Sequence, residues 1–274
     1  MISDFHTHTV FSGDCTVPVR EQIAKAINLG MEEVCITDHN DYCVNSGDID
    51  FNLDFDSYIG TLQRIKTEYQ KKIRVNIGVE MGLQPHISKY CREIALRYPF
   101  DFIIGSIHFI NVNDPYYPEY FQGRTSKAAY LEYFDTVLSC IKACDDFDVL
   151  GHLDYILRYG PKEDSSVLQY LLHGPVPEAF ASYIEEILSV LISRGKGLEC
   201  NTCGFRCGLG QPNPSPWILK KYREMGGEII TIGSDAHESS CLGSCFKEAS
   251  ELLKGCGFDF YTVFHERKPV FLKL

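Results

Sequence analysis

The 274-residue sequence predicts an α/β barrel. Short apolar segments alternate with helical ones seven times, which implies a parallel sheet, and seven or eight such units favour a barrel over an open sheet. Six of the nine His fall just past the ends of those apolar segments, on the rim where barrel enzymes carry their chemistry. His6-Thr7-His8 near the start and Asp235-Ala236-His237 near the end share one spacing, and a closed barrel brings such distant segments together.

The elements follow in order. The first strand ends at Phe5, and residues 17–29 are helical, with Pro18 at an early position and Gly30 as a stop signal. Residues 34–36 form the second strand, with a helix over 58–69. The third covers 74–79 and is followed by a helix over 87–98 that Pro99 ends. Residues 102–105 are the fourth strand, with a helix from 126 to about 144. Residues 147–150, 197–200 and 228–232 are the fifth, sixth and seventh, with helices over 177–193, 216–225 and 243–253. Two long connections break the rhythm, 111–125 and 157–175, and loops of that length in a compact domain are usually functional or disordered. The first is rich in Tyr and Pro and reads as a lid or pocket wall. Without a linker or low-complexity segment, residues 1–274 read as one domain.

Composition narrows the function. With 26 Lys and Arg against 37 Asp and Glu, the net charge of −11 repels a phosphate backbone and disfavours a general nucleic-acid binder, while a local Arg can still hold a small anion. The N-terminus lacks the basic start and apolar stretch of a signal peptide, and no run reaches the ~18 apolar residues of a membrane helix. A cytoplasmic protein with no membrane partner is expected, its 12 Cys reduced. Cys200, Cys203 and Cys207, with Cys241 and Cys245 later, invite a zinc or iron–sulfur reading. No second CxxC at zinc-ribbon spacing follows, so free thiols near the rim are expected. Neither a phosphate-loop signature nor a GxSxG elbow occurs.

At the strand ends stand His6, His8, Asp38, His39, Glu80, His108, His152, Asp235 and His237. A lone His in such a place is usually a satisfied core or loop residue. Six at one rim make a metal-binding constellation. His86, in the loop after the third strand, is placed near the substrate, whereas His173 and His265 read as surface residues.

In order, His6-Thr7-His8, Thr37-Asp38-His39, Gly78-Val79-Glu80, Gly105-Ser106-Ile107-His108, Gly151-His152-Leu153-Asp154 and Ser234-Asp235-Ala236-His237 resemble the motifs of the PHP (polymerase and histidinol phosphatase) superfamily. Residues 151–159 and 199–216 resemble its histidinol-phosphate phosphatase branch. The resemblance implies a distorted seven-stranded (β/α)7 barrel holding up to three divalent ions, zinc, manganese or iron. It implies that His6, His8, Glu80 and Asp235 bind a first ion, that Glu80 bridges to a second held by His108 and His152, and that His39 and His237 hold a third. Asp14 stands where many relatives have His and completes that third set. The implied reaction is hydrolysis of L-histidinol phosphate to L-histidinol and phosphate, in histidine biosynthesis. Paired ions would activate water and neutralise phosphoryl charge, and the guanidinium forks of Arg158 and Arg206 would take the phosphate. Asp14, Asp154 or water at the metals would protonate the leaving group. Asp38 is either a ligand or a residue that orients His39. Other readings are a PHP-type phosphoesterase for another small phosphate ester or nucleotide, a nuclease like the PHP domains attached to DNA polymerases, and a non-catalytic metal-binding scaffold. Oligomeric state has no sequence signal.

Overall fold

The computed structural model describes residues 3–44, 49–111, 113–161 and 165–274. The strands β1 (Glu33–Ile36), β2 (His39–Asn40), β3 (Arg74–Gly82), β4 (Phe102–Ser106), β5 (Val149–Leu150), β6 (Gly197–Asn201) and β7 (Ile230–Gly233) form one parallel sheet. Its order is β1-β3-β4-β5-β6-β7, with β2 beside β3. All their residues are buried except Arg74, which is why they read as apolar runs rather than alternating ones.

The predicted first strand is a seam rather than a regular strand. Residues 4–8 make single bridges, Asp4 to Val34 and Thr7 to Ala236. The Cys35 and Thr37 N–H groups donate to the Asp4 and Thr7 carbonyls, both at 2.9 Å. On the other side, Phe5 N–H donates to Ile232 O at 3.1 Å, Asp235 N–H to His6 O at 2.8 Å and His8 N–H to Ala236 O at 3.0 Å. These bonds to both edges close the sheet into a ring, and they deliver His6 and His8 to the same rim as Asp235 and His237.

The helices are α1 (Val19–Asn28), α2 (Phe55–Tyr69), α3 (Ser88–Arg97), α4 (Ser126–Ala143), α5 (Ser165–His173), α6 (Glu178–Ser193), α7 (Cys203–Arg206), α8 (Pro216–Glu224) and α9 (Phe246–Gly255). α2 starts three residues before the predicted point because Asp54 caps it, accepting from Ser57 N–H at 3.2 Å. It then lays Phe55, Tyr58, Ile59, Leu62 and Ile65 on the sheet at helical spacing. Thr125 caps α4 in the same way, through Ala128 N–H.

Besides the short β2 and α7, the expected set gains a helix and a hairpin. α5 lies inside the 157–175 connection and buries Leu168, Leu171 and Leu172, its pattern hidden between Gly160-Pro161 and Gly174-Pro175. After α9 the chain forms an antiparallel hairpin of β8 (Phe260–His265) and β9 (Lys268–Lys273). Its two-residue turn, Glu266-Arg267, has φ of 51° and 64°. Asn-Gly or Asp-Gly ordinarily supplies that conformation, so this turn carried no recognisable signal. The hairpin packs at the N-terminal end of the barrel: Phe264 lies on Phe102 at 5.0 Å, and Arg267 pairs with Asp148.

Candidate metal centre

The C-terminal rim gathers nearly every residue predicted for it. His6 Nε2 lies 3.1 Å from Glu80 Oε2 and 3.7 Å from Asp235 Oδ1, and His8 Nε2 lies 3.5 and 3.4 Å from the same two oxygens. Beside this set, Glu80 Oε1 is 2.9 Å from His152 Nε2 and 3.2 Å from His108 Nε2. At the mouth, Asp14 Oδ2 is 3.2 Å from His237 Nε2 and 3.7 Å from His39 Nε2. Ligands about 2.0–2.1 Å from one tetrahedral zinc stand roughly 3.3 Å from each other, so these spacings suit a shared cation.

Hydrogen bonding tests that fit independently. His6 Nε2, His8 Nε2, His39 Nδ1 and Glu80 Oε2 are buried and have no hydrogen-bond partner despite this crowding. Buried polar atoms left in that state are costly, and a cation shared by His6 Nε2, His8 Nε2 and Glu80 Oε2 satisfies those three together, while His39 Nδ1 faces Glu80 Oε2 at 2.9 Å. Burial alone would raise the Glu80 carboxyl, but the charges of His6, His39 and His108 hold it well below the usual range. Burial, with His237 and His39 close by, pushes His8 well below an ordinary imidazole. The anionic Glu80 and the neutral His8 are in the forms that ligate, whereas against burial the neighbouring carboxylates raise His6, His39 and His108, so a cation there would displace their protons.

Ring tautomers follow from the surroundings. Ser12 Oγ donates to Asp38 Oδ1 at 2.7 Å, so toward His8 Nδ1, 3.1 Å away, it can only accept. His8 therefore carries its proton on Nδ1 and turns the Nε2 lone pair inward. Glu199 Oε1 sits 2.6 Å from His6 Nδ1 and Asp41 Oδ1 3.0 Å from His108 Nδ1, imposing the same tautomer on both rings. Asp38 itself accepts from Thr9 N–H, Thr9 Oγ1 and Ser12 Oγ, and it steadies the ligands through Ser12 rather than ligating.

Asp235 adopts the left-handed region, φ 54°, which Asp tolerates better than most residues. Its Oδ1 faces His6 and His8 while Oδ2 accepts from Arg158 Nη1 at 3.0 Å. Arg158 also donates from Nε to Asn213 Oδ1 and from Nη2 to Asn201 Oδ1, so three of its five N–H groups fix it and two remain to meet an anion.

Three expected residues stand elsewhere. Arg206 donates to Ser244 Oγ and to the Ser234 and Asp235 carbonyls, bracing the Asp235 turn, and it does not line the cavity. His86 lies exposed on the one-turn 3-10 helix Pro85–Ile87, which turns it to solvent. Asp154 is buried and holds Asn213 Nδ2 and Ser215 N–H, away from the cavity. Sequence reasoning missed Asp41 and Glu199. Asp41 is two positions past His39, and Glu199 is a lone carboxylate in a buried strand; both were the available signals.

A cavity of about 260 Å³ opens above these ligands. Asp14, His39, His108, His152, Arg158, Asp235 and His237 line its floor, and Asp41, Asp114, Phe51, Tyr116, Tyr117, Tyr155 and Tyr159 its walls. The 111–125 connection thus supplies wall residues, as its aromatics suggested; Val112 lies outside the described residues, as do residues 162–164 of the second connection. Among the described residues, no helix is long and apolar enough to cross a membrane.

The PHP domain family model matches residues 4–203. A histidinol-phosphatase of Lactococcus lactis subsp. lactis is 31% identical over 97% of this chain and 95% of its own. A probable histidinol-phosphatase of Clostridium acetobutylicum is 31% identical over 100% and 97%. The crystal structure of the histidinol phosphate phosphatase from Lactococcus lactis, complexed with zinc, L-histidinol and phosphate, superposes with a TM-score of 0.88, 30% identity and 98% coverage of both chains.

Proposed function

This chain belongs to the PHP domain family, and from that membership we propose that it is a histidinol-phosphatase, hydrolysing L-histidinol phosphate to L-histidinol and phosphate. The observation that carries the reading is one cavity in which a cation-ligating floor, a half-committed Arg158 and two wall carboxylates all face the same space. Up to three divalent ions fit the donor set, zinc first, with manganese or iron accommodated by the carboxylates. His6, His8, Glu80 and Asp235 would hold one, Glu80, His108 and His152 a second, and His39, His237 and Asp14 a third. Bound there, such ions supply the charge that activates water and relieves the negative charge building on phosphorus.

The chain's own groups do the positioning. Arg158, held by Asn201, Asn213 and Asp235, lines the cavity with two N–H groups left for a phosphoryl oxygen. Arg206 supports it indirectly by bracing the Asp235 turn. Asp41 and Asp114 give the cavity a cation-attracting wall for the amine and imidazole of histidinol, and the Tyr155 and Tyr159 rings offer flat surfaces beside them. We read residues 1–274 as one catalytic unit, supported by the hairpin's contacts with the barrel, and place it in the cytoplasm, where its twelve free thiols persist.

Purified protein loaded with zinc should release phosphate from L-histidinol phosphate about 10²-fold faster, in kcat/KM, than from phosphomonoesters lacking the amine and ring. Equal rates across such a panel would leave a general phosphoesterase for small phosphate esters or nucleotides. Asp114→Asn is expected to raise KM for the cationic substrate more than for a neutral one.

A further inference from the structure

Cys203 and Cys207 sit at the two ends of the single turn α7, their Sγ atoms 3.0 Å apart. Cys207 is exposed and Cys203 partly so, whereas Cys91, Cys140, Cys144 and Cys200 are buried. Cys207 N–H donates to the Cys203 carbonyl at 2.9 Å, a helical bond that sets the two Cα atoms about 6 Å apart, within the span a disulfide bridges. Neither thiol has a part in binding or turnover as described above.

We propose that Cys203 and Cys207 form a reversible disulfide that acts as an oxidation-sensitive brake on the neighbouring site. The coupling is built into α7. Cys203 N–H donates to Asn201 Oδ1, the atom that also receives Arg158 Nη2. Arg206, between the two cysteines in sequence, holds the Ser234 and Asp235 carbonyls. Drawing the sulfurs to about 2.05 Å forces the Cβ atoms to about 3.8 Å, which tightens the turn and disturbs both Arg attachments. So small and exposed a ring is readily reduced again.

A hydroperoxide is the oxidant the geometry suits. The Cys207 thiol, drawn down to about 6 by the Cys203 hydrogen bond against its partial burial, with Arg158 assisting, is the accessible nucleophile. Its sulfur attacks one peroxide oxygen, the O–O bond breaks, and the departing oxygen takes up the thiol proton and leaves as water or an alcohol. Cys203 sulfur then attacks the resulting sulfenic acid, the S–O bond breaks, and the hydroxyl leaves as water with the Cys203 proton. The two thiols lose two electrons and the peroxide gains two.

The effect on turnover rests on the phosphatase reading, but the bond itself is read without it. Zinc-loaded full-length protein is treated with hydrogen peroxide, alkylated, digested and weighed. The peptide carrying both cysteines should be unalkylated and lighter by two hydrogens, while turnover falls about tenfold and dithiothreitol restores both. Cys203→Ser/Cys207→Ser should keep its turnover through the same treatment. Full alkylation of both thiols after peroxide, a disulfide that leaves turnover unchanged, or equal inactivation of the double variant would each overturn the proposal. A chain that forms the bond yet hydrolyses nothing in either state sinks the phosphatase reading and leaves the dithiol site standing.

Discussion

Glu199 touches no substrate, yet it governs how His6 presents itself. Its Oε1 accepts from His6 Nδ1–H at 2.6 Å, and its Oε2 accepts from His152 N–H at 2.9 Å and from Asn201 Nδ2 at 3.2 Å. Glu199→Gln should weaken zinc binding about 10–100-fold, measured by competition with a chromogenic chelator; an unchanged affinity would mean the barrel alone orients His6. Arg158→Lys replaces a three-point fork with a point charge. Its kcat/KM should drop about 10²-fold while zinc content stays whole, and loss of zinc instead would assign Arg158 to holding Asp235. Most ligand-type residues were legible in the sequence because each ends an apolar run, whereas Asp14 came only from the family resemblance. Glu199 and Asp41 were not, since a carboxylate that serves a ring nitrogen from another strand has no fixed spacing from it. His86 misled because being near a strand end in sequence does not decide which way a one-turn helix faces.

Between elements, the approach of β7 to the N-terminal seam depends on Gly233. A Cβ there would meet His6 Cβ at 2.3 Å and Glu199 Oε1 at 2.5 Å. Gly233→Ala should destabilise the protein by about 1–3 kcal/mol in urea unfolding and lower zinc affinity with it, because the seam and the ligand move together. At the opposite end of the barrel, Arg267 Nε pairs with the buried Asp148 carboxylate, which also accepts from Ile103 N–H. Arg267→Ala should cost about 2 kcal/mol of stability with kcat unchanged, since the pair lies away from the rim. The seven β/α units were readable because parallel strands buried on both faces are apolar throughout. The hairpin was not, because Glu-Arg in a left-handed turn breaks the usual residue preference and β9 is almost wholly exposed. α5 was hidden by the Gly-Pro pairs that bracket it.

For the molecule as a whole, cations held by the three proposed ligand sets would couple binding to stability. Removing them with a chelator should lower Tm, and restoring zinc at a thousandfold excess over Kd should return about 4 kcal/mol, a change differential scanning calorimetry resolves. An unmoved Tm would leave the rim without a tight cation. The ring of strands also sets a schedule for synthesis. Residues 4–8 are made before both of their hydrogen-bonded neighbours, and the later neighbour follows more than two hundred residues on. At about 5–20 residues per second, a nascent chain waits roughly 11 to 45 seconds with those two imidazoles lacking the Asp235 carboxylate. Assembly of the first ligand set would therefore wait for β7 to be made, and a chain stalled before residue 235 would leave that set incomplete.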